Sequence, residues 1–235
     1  MLRIENLVAG YVVGSRVLDG LSLEIARGET VALLGRNGMG KSTLMKVITG
    51  HLRSTGGILD YRGRSISAMR PFEIARSGVG YVPQGREIFA DFTVEENLRI
   101  GMLGKPGLGR IVPDWAFELF PILGERKLQR AGTMSGGQQQ QLAIMRALVG
   151  RPEFLLLDEP SEGIQPSIVH DIGAALKGFA GERNLTVLLV EQNLDLVRLL
   201  ATRALFIEDG RVIEELSDLD RLQTDAALVN RYLSI

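Results

Sequence analysis

The chain has 235 residues, 45% of them hydrophobic, and a formal net charge of −1. That length suits one large domain, or one domain carrying an inserted subdomain, with apolar material for a sizeable core. The near-neutral charge argues against bulk nucleic-acid binding. The absence of cysteine excludes a disulfide framework and a thiolate metal site. His51 and His170 lie far apart without ligand-like neighbours, so neither is read as a metal ligand. The opening residues do not form a signal peptide. No run approaches the ~20 apolar residues that a membrane span needs. A soluble, cytosolic protein is expected, reaching a membrane only through a partner.

In chain order, Leu2 to Leu7 and Val17 to Ile25 alternate as strands do, with a turn around Gly14-Ser15. They predict an antiparallel edge sheet. Thr30 to Leu34 is a short apolar strand, and Ser42 to Thr49 has helical spacing and stops at Gly50. Residues 57–61 and 78–82 read as further strands, with a helix from Pro71 to Ser77 between them. Thr93-Val94-Glu95-Glu96 has capping-box spacing and opens a helix through Ile100. Residues 101–113, with four glycines and two prolines, read as a loop. Residues 114–123 read as one helix with an apolar stripe of Trp115, Leu119, Ile122 and Leu123. The region from about 86 to 135 therefore interrupts the βα rhythm. With the helix at 136–149 it makes a helical insert over about 86–150. The rhythm resumes with strand 154–157, helix 167–180, strand 186–190, a helix near 194–201, strands 203–207 and 211–215, and a short tail helix. The fold expected is α/β: a parallel sheet flanked by helices, with an N-terminal antiparallel part and a helical insert in a single domain, 1–235.

Three clusters carry chemistry. Gly35, Arg36, Asn37, Gly38, Met39, Gly40, Lys41, Ser42 and Thr43 fit the phosphate-loop pattern G-x-x-x-x-G-K-[ST], between a strand and a helix as that motif requires. Glycines let backbone N–H groups turn inward around a phosphate, and the helix N-terminus adds its positive dipole end. Lys41 would reach the β- and γ-phosphates, and Ser42 would ligate Mg²⁺. Asp158 and Glu159 close an apolar strand, where a carboxylate sits beside the phosphate loop. Asp158 would hold Mg²⁺ or its water shell, and Glu159 can polarise a water for attack on the γ-phosphate. Ser135, Gly136, Gly137 and Gln138 have capping-box spacing at a second helix start, with free N–H groups uncrowded by the glycines.

The phosphate loop, Tyr81-Val82-Pro83-Gln84, Ser135-Gly136-Gly137-Gln138-Gln139 and Leu157-Asp158-Glu159-Pro160 follow one another in the order and spacing of the ATP-binding-cassette (ABC) ATPases. The chain resembles that family from Leu2 to about Glu215. The resemblance implies ATP and Mg²⁺ as ligands, with Tyr11 stacked on adenine. It implies that Gln84 links Mg²⁺ and the attacking water to the helical insert. It makes Ser135 to Gln138 the signature, which contacts ATP on the opposite subunit of a head-to-tail pair.

Two positions depart from the common pattern. Gln192 stands where the switch histidine is usual, and Gln165 where an aspartate is usual. Glutamine can hydrogen-bond a γ-phosphate but carries no proton charge. Glu159 is then the expected base, and Gln192 is counted with it as a catalytic residue. Val190-Glu191-Gln192-Asn193, Val94 to Leu98 and Ala131 to Gly137 resemble the smaller ATPase subunit of branched-chain amino-acid importers. Tyr81 to Phe89 and Glu162 to Ser167 look closer to the urea and short-chain amide branch. The implied partners are a second cassette, two membrane permease subunits and, indirectly, a solute-binding protein, at the inner face of the cell membrane. Two alternatives remain at this point: a lipopolysaccharide-export ATPase, and a soluble cassette acting on DNA or ribosomes. The two glutamines count against the first, and a single cassette at charge −1 against the second.

Overall fold

The structure is a computed structural model and describes residues 1–103, 107, 109 and 111–233. The chain opens with β1 (Leu2–Ala9) and β2 (Leu18–Ile25), followed by β3 (Thr30–Leu34) and α1 (Lys41–Ile48). Next come β4 (Gly56–Tyr61), the two-residue β5 (Arg64–Ser65), α2 (Pro71–Arg76) and β6 (Val79–Val82). A helical stretch follows: α3 (Val94–Met102), α4 (Trp115–Leu119), α5 (Pro121–Glu125), a 3₁₀ turn at Ala131–Thr133 and α6 (Gly136–Leu148). The remainder alternates β7 (Phe154–Asp158), α7 (Pro166–Arg183), β8 (Thr186–Val190), α8 (Leu194–Leu200) and β9 (Arg203–Glu208). It ends with β10 (Arg211–Leu216), α9 (Arg221–Thr224) and α10 (Ala226–Leu233).

Two sheets form. One is antiparallel, in the order β2-β1-β4-β5. The other runs β10-β9-β3-β8-β7-β6 and is parallel except at β10. Strands β3, β7 and β8 are buried at every position. They carry no polar alternation because both faces are covered. Period two splits their side chains between two cores. Leu155, Leu157, Val187 and Leu189 meet the apolar faces of α3, α6, α7 and α8. Phe154, Leu156, Leu188 and Val190 meet β1, β2 and α1. Each fully buried leucine of β7 stabilises the sheet by about 1.5–3 kcal/mol.

The helical stretch differs from its sequence reading in two places. Residues 114–123 are not one helix. Phe120 leaves helical geometry at φ −132°, ψ 85° and Pro121 starts α5. Proline disfavours helical backbone in the residue before it. The buried side chains are Ala116, Phe120 and Leu123, while Trp115, Leu119 and Ile122 are only partly covered. The expected loop from 101 also begins later, because α3 runs to Met102. Gly101 is helical there, and a Cβ on it would lie 2.0 Å from the carbonyl oxygen of Arg146. Glycine thus lets α3 and α6 approach backbone to backbone. Residues 104–106, 108 and 110 of that loop lie outside the described residues. The tail forms two short helices, with Tyr232 of α10 packed on Phe206 at 4.7 Å between ring centroids.

Candidate nucleotide site

Strands β3, β8, β7 and β6 are neighbours and run parallel, so their carboxyl ends open on one edge of the sheet. The segments leaving them are the glycine loop, Glu191 to Asn193, Asp158 to Glu162, and the approach to Gln84. Together they surround an open cavity of about 560 Å³ lined by Asn37, Gly38, Gly40, Lys41, Ser42, Thr43, Gln84, Glu159, Ser161, Glu162, Glu191, Gln192 and Asn193.

The glycine loop is held by its backbone. Gly40 has φ 104°, and a Cβ there would sit 2.9 Å from Leu18, so a larger residue would be strained twice. Helix α1 starts at the next residue, leaving its first N–H groups free at the cavity. The Lys41 ammonium is buried and donates to the carbonyls of Gly35 at 2.6 Å and Arg36 at 2.9 Å. Burial lowers its pKa, against the pull of Glu159 and Asp158.

The acidic side of the cavity has two carboxylates in different surroundings. Asp158 is 2% exposed. Its Oδ2 accepts from the Tyr81 hydroxyl at 3.4 Å, and the nearby Ser42 side chain works to lower its pKa. Its Oδ1 is buried with no hydrogen-bond partner among the described residues. Burial first, and then the neighbouring Glu159, push the Asp158 pKa up to about 6. Burial and Asp158 likewise raise the Tyr81 phenol. Glu159 adopts left-handed backbone at φ 48°, an uncommon conformation that concentrates at functional sites. Its two oxygens accept from Gln84 Nε2 at 3.2 Å and Gln192 Nε2 at 3.0 Å. The Gln192 amide also donates to Asn37 Oδ1 at 3.0 Å, and that of Gln84 to Glu162 at 3.0 Å. A carboxylate, two amides and an ammonium therefore converge where a terminal phosphate and an attacking water could meet.

Tyr11 is 54% exposed, which excludes a core role. Its hydroxyl lies 3.3 Å from Thr43 Oγ1 and accepts from Lys46 Nζ at 3.3 Å. The bond to Thr43 lowers its pKa. The ring thus stands at the phosphate-loop helix with a face open to solvent. Ser135 to Gln138 do not line the cavity. Ser135 caps α6, accepting from Gln138 N at 3.4 Å, while Gln138 Oε1 accepts from Ser135 N at 3.1 Å. Gln165 caps α7 with its backbone alone and makes no side-chain cap bond. Tyr81, Ser161, Glu162 and Glu191 join the site without having been assigned roles from sequence. The one readable signal was Glu191, a charge directly after an apolar strand, as at Asp158. Among the described residues no group of three or more His, Cys, Asp or Glu could hold a metal.

A glycine loop joining strand to helix, with a buried aspartate closing a nearby parallel strand, defines a phosphate-loop nucleotide-binding ATPase. More narrowly, the chain belongs to the ABC transporter family, whose profile matches residues 18–162. It is an ATPase of that family, and it binds ATP. It is 42% identical, over 88% of both chains, to the high-affinity branched-chain amino acid transport ATP-binding protein BraG of Pseudomonas aeruginosa. It is 35% identical, over 90% of both, to the probable branched-chain amino acid transport ATP-binding protein LivF of Archaeoglobus fulgidus. Among solved structures it resembles an ABC transporter cassette in its ADP conformation, at a TM-score of 0.83 and 29% identity, over 100% of this chain and 99% of that one.

Proposed function

We propose that this ATPase powers uptake of branched-chain amino acids, or a related small polar solute, as one of two cassettes beneath two permease subunits. The observation that carries the catalytic part is Glu159, with one carboxylate oxygen on Gln84 and the other on Gln192 at the cavity mouth. The likeness to BraG supports the solute class. The segments Tyr81 to Phe89 and Glu162 to Ser167 favour a second reading, import of urea or short-chain amides.

In this reading Lys41 exchanges its loop carbonyls for the β- and γ-phosphates, and Tyr11 stacks on adenine. Glu159 accepts a proton from water as the water oxygen bonds to the γ-phosphorus and the bridging oxygen leaves with ADP. Gln192 donates a hydrogen bond to the γ-phosphate. The unpartnered Oδ1 of Asp158, beside the Ser42 hydroxyl, suits a hard cation with oxygen ligands. Ser42, Asp158 and Gln84 would hold Mg²⁺, which neutralises phosphate charge when bound. Ser135 to Gln138, outside their own cavity, would serve the ATP of the second subunit.

The helices between β6 and β7 act as the inserted subdomain of a single ATPase domain, 1–235, and face the permease. A cleft of about 240 Å³ between Tyr81, Phe89, Ile100, Leu103 and Arg146 supports docking there. No helix among the described residues is long and apolar enough to cross a membrane. We therefore place the protein peripherally, on the cytoplasmic face of the membrane, through the permease. The test is ATPase activity of the reconstituted complex with binding protein added, comparing leucine with urea and acetamide. Stimulation by neither class would refute the solute reading. A purified single chain that works at a concentration-independent rate equal to the complex would refute the paired-cassette reading.

A further inference from the structure

Glu191 lines the cavity and is only 2% exposed, yet its carboxylate faces no lysine or arginine within ion-pair distance among the described residues. Its oxygens instead collect neutral donors from two turns. From the turn after β7 it accepts the Ser161 N–H at 3.2 Å and the Ser161 hydroxyl at 2.8 Å. From the turn after β8 it accepts the N–H of Gln192 at 2.8 Å and of Asn193 at 3.1 Å. Hydrogen bonds to an ionised acceptor are roughly twice as strong as neutral ones. Burial pushes the Glu191 pKa up, and these four bonds oppose that push.

The two turns carry the two reacting ends of the site. Ser161 lies two residues after Glu159, and Gln192 directly follows Glu191. The Gln192 side chain is exposed and spans from Glu159 to Asn37, at 3.0 Å to each. An exposed side chain can hold that span only if its backbone is fixed. The Asn193 side chain is occupied in capping α8 through Leu196 N at 3.1 Å.

We propose that Glu191 is a positioning residue for hydrolysis, a buried carboxylate that ties the turns after β7 and β8 together and so sets the Gln192 amide against Glu159. This rests on the reading above that Gln192 serves the γ-phosphate. In this role the carboxylate acts through Gln192 and not on the nucleotide itself. Replacing it with glutamine puts an amide donor among four donors and opens the tie.

The test is a double-mutant cycle on ATP turnover by the assembled transporter, with melting temperatures measured alongside. Gln192→Ala is expected to lower kcat at least tenfold. Glu191→Gln is expected to lower kcat about tenfold with KM for ATP within twofold, and Glu191→Asp to recover part of the loss. In the Gln192→Ala background, Glu191→Gln should lower kcat by less than twofold further. Ser161→Ala should repeat the pattern at smaller amplitude, which keeps the test open if Glu191→Gln folds poorly. Losses that multiply independently would overturn the tie and leave the role of Gln192 standing. A Gln192→Ala enzyme at wild-type kcat would overturn that role, and the tie with it.

Discussion

Asp158→Asn should stabilise the nucleotide-free protein while abolishing its turnover. The carboxyl is 2% exposed, one oxygen has no partner, and its pKa stands at about 6 against an ordinary 3.8. A displacement of about two units corresponds to roughly 3 kcal/mol held against the folded state when the group is charged. The folded pKa is raised for an acid, so the unfolded chain releases its proton first as pH rises. Stability is then undiminished below about pH 4, declines through about pH 6 and stays lowered above it. Asparagine has a similar shape and no charge, and part of the gain goes to reorienting its amide. A net gain of about 2 kcal/mol at pH 7 raises Tm by roughly 4–8 °C in a chain of this size. The assay is thermal unfolding of both proteins from pH 4 to 8. The gap should open between pH 4 and 6 and then remain constant. With Mg²⁺ and ATP present the gap should narrow or reverse, because the wild type gains more binding energy than the mutant. A mutant less stable than wild type at pH 7, or a gap that ignores pH, would refute the reasoning that Asp158 is a strained buried charge.

Three other substitutions probe the cavity. Lys41→Ala removes the only ammonium lining it among the described residues and should abolish productive ATP binding; unchanged nucleotide affinity by titration would count against the loop's assignment. Glu159→Gln removes the proton acceptor and, with one amide nitrogen in place of a carboxylate oxygen, keeps only one of the two contacts to Gln84 and Gln192. It should bind ATP, slow hydrolysis about a hundredfold or more and accumulate an ATP-bound dimer; near-normal turnover would exclude Glu159 as the base. Tyr11→Ala should weaken ATP binding by about 1–2 kcal/mol, the scale of base stacking on an aromatic ring. Because the ring is exposed, Tm should move little. A fall in Tm with affinity intact would show a structural role instead.

Much of this architecture is written locally in the chain. Strands β3, β7 and β8 are legible because short, nearly continuous apolar runs without polar alternation suit a sheet covered on both faces. The capping boxes at Thr93 and Ser135 announce α3 and α6 because side chain and backbone satisfy one another within four residues. The glycine loop is legible for the same reason: its chemistry depends on residues adjacent in sequence. What spacing left open was whatever depends on partners distant in the chain. The break at Phe120 and the helical Gly101 follow from a proline and from the approach of α6, and helical periodicity registers neither. The neighbouring of β3, β8, β7 and β6 brings Lys41, Gln192, Glu159 and Gln84 around one cavity, although they span more than a hundred residues of chain. Burial of Asp158 and Glu191 likewise comes from packing, since a carboxylate's surroundings, and so its pKa and its partners, are set by the elements closed around it. Local sequence names the candidate residues, and the parallel order of the strands decides which of them meet, because hydrogen-bonded register, not proximity along the chain, aligns the strand ends.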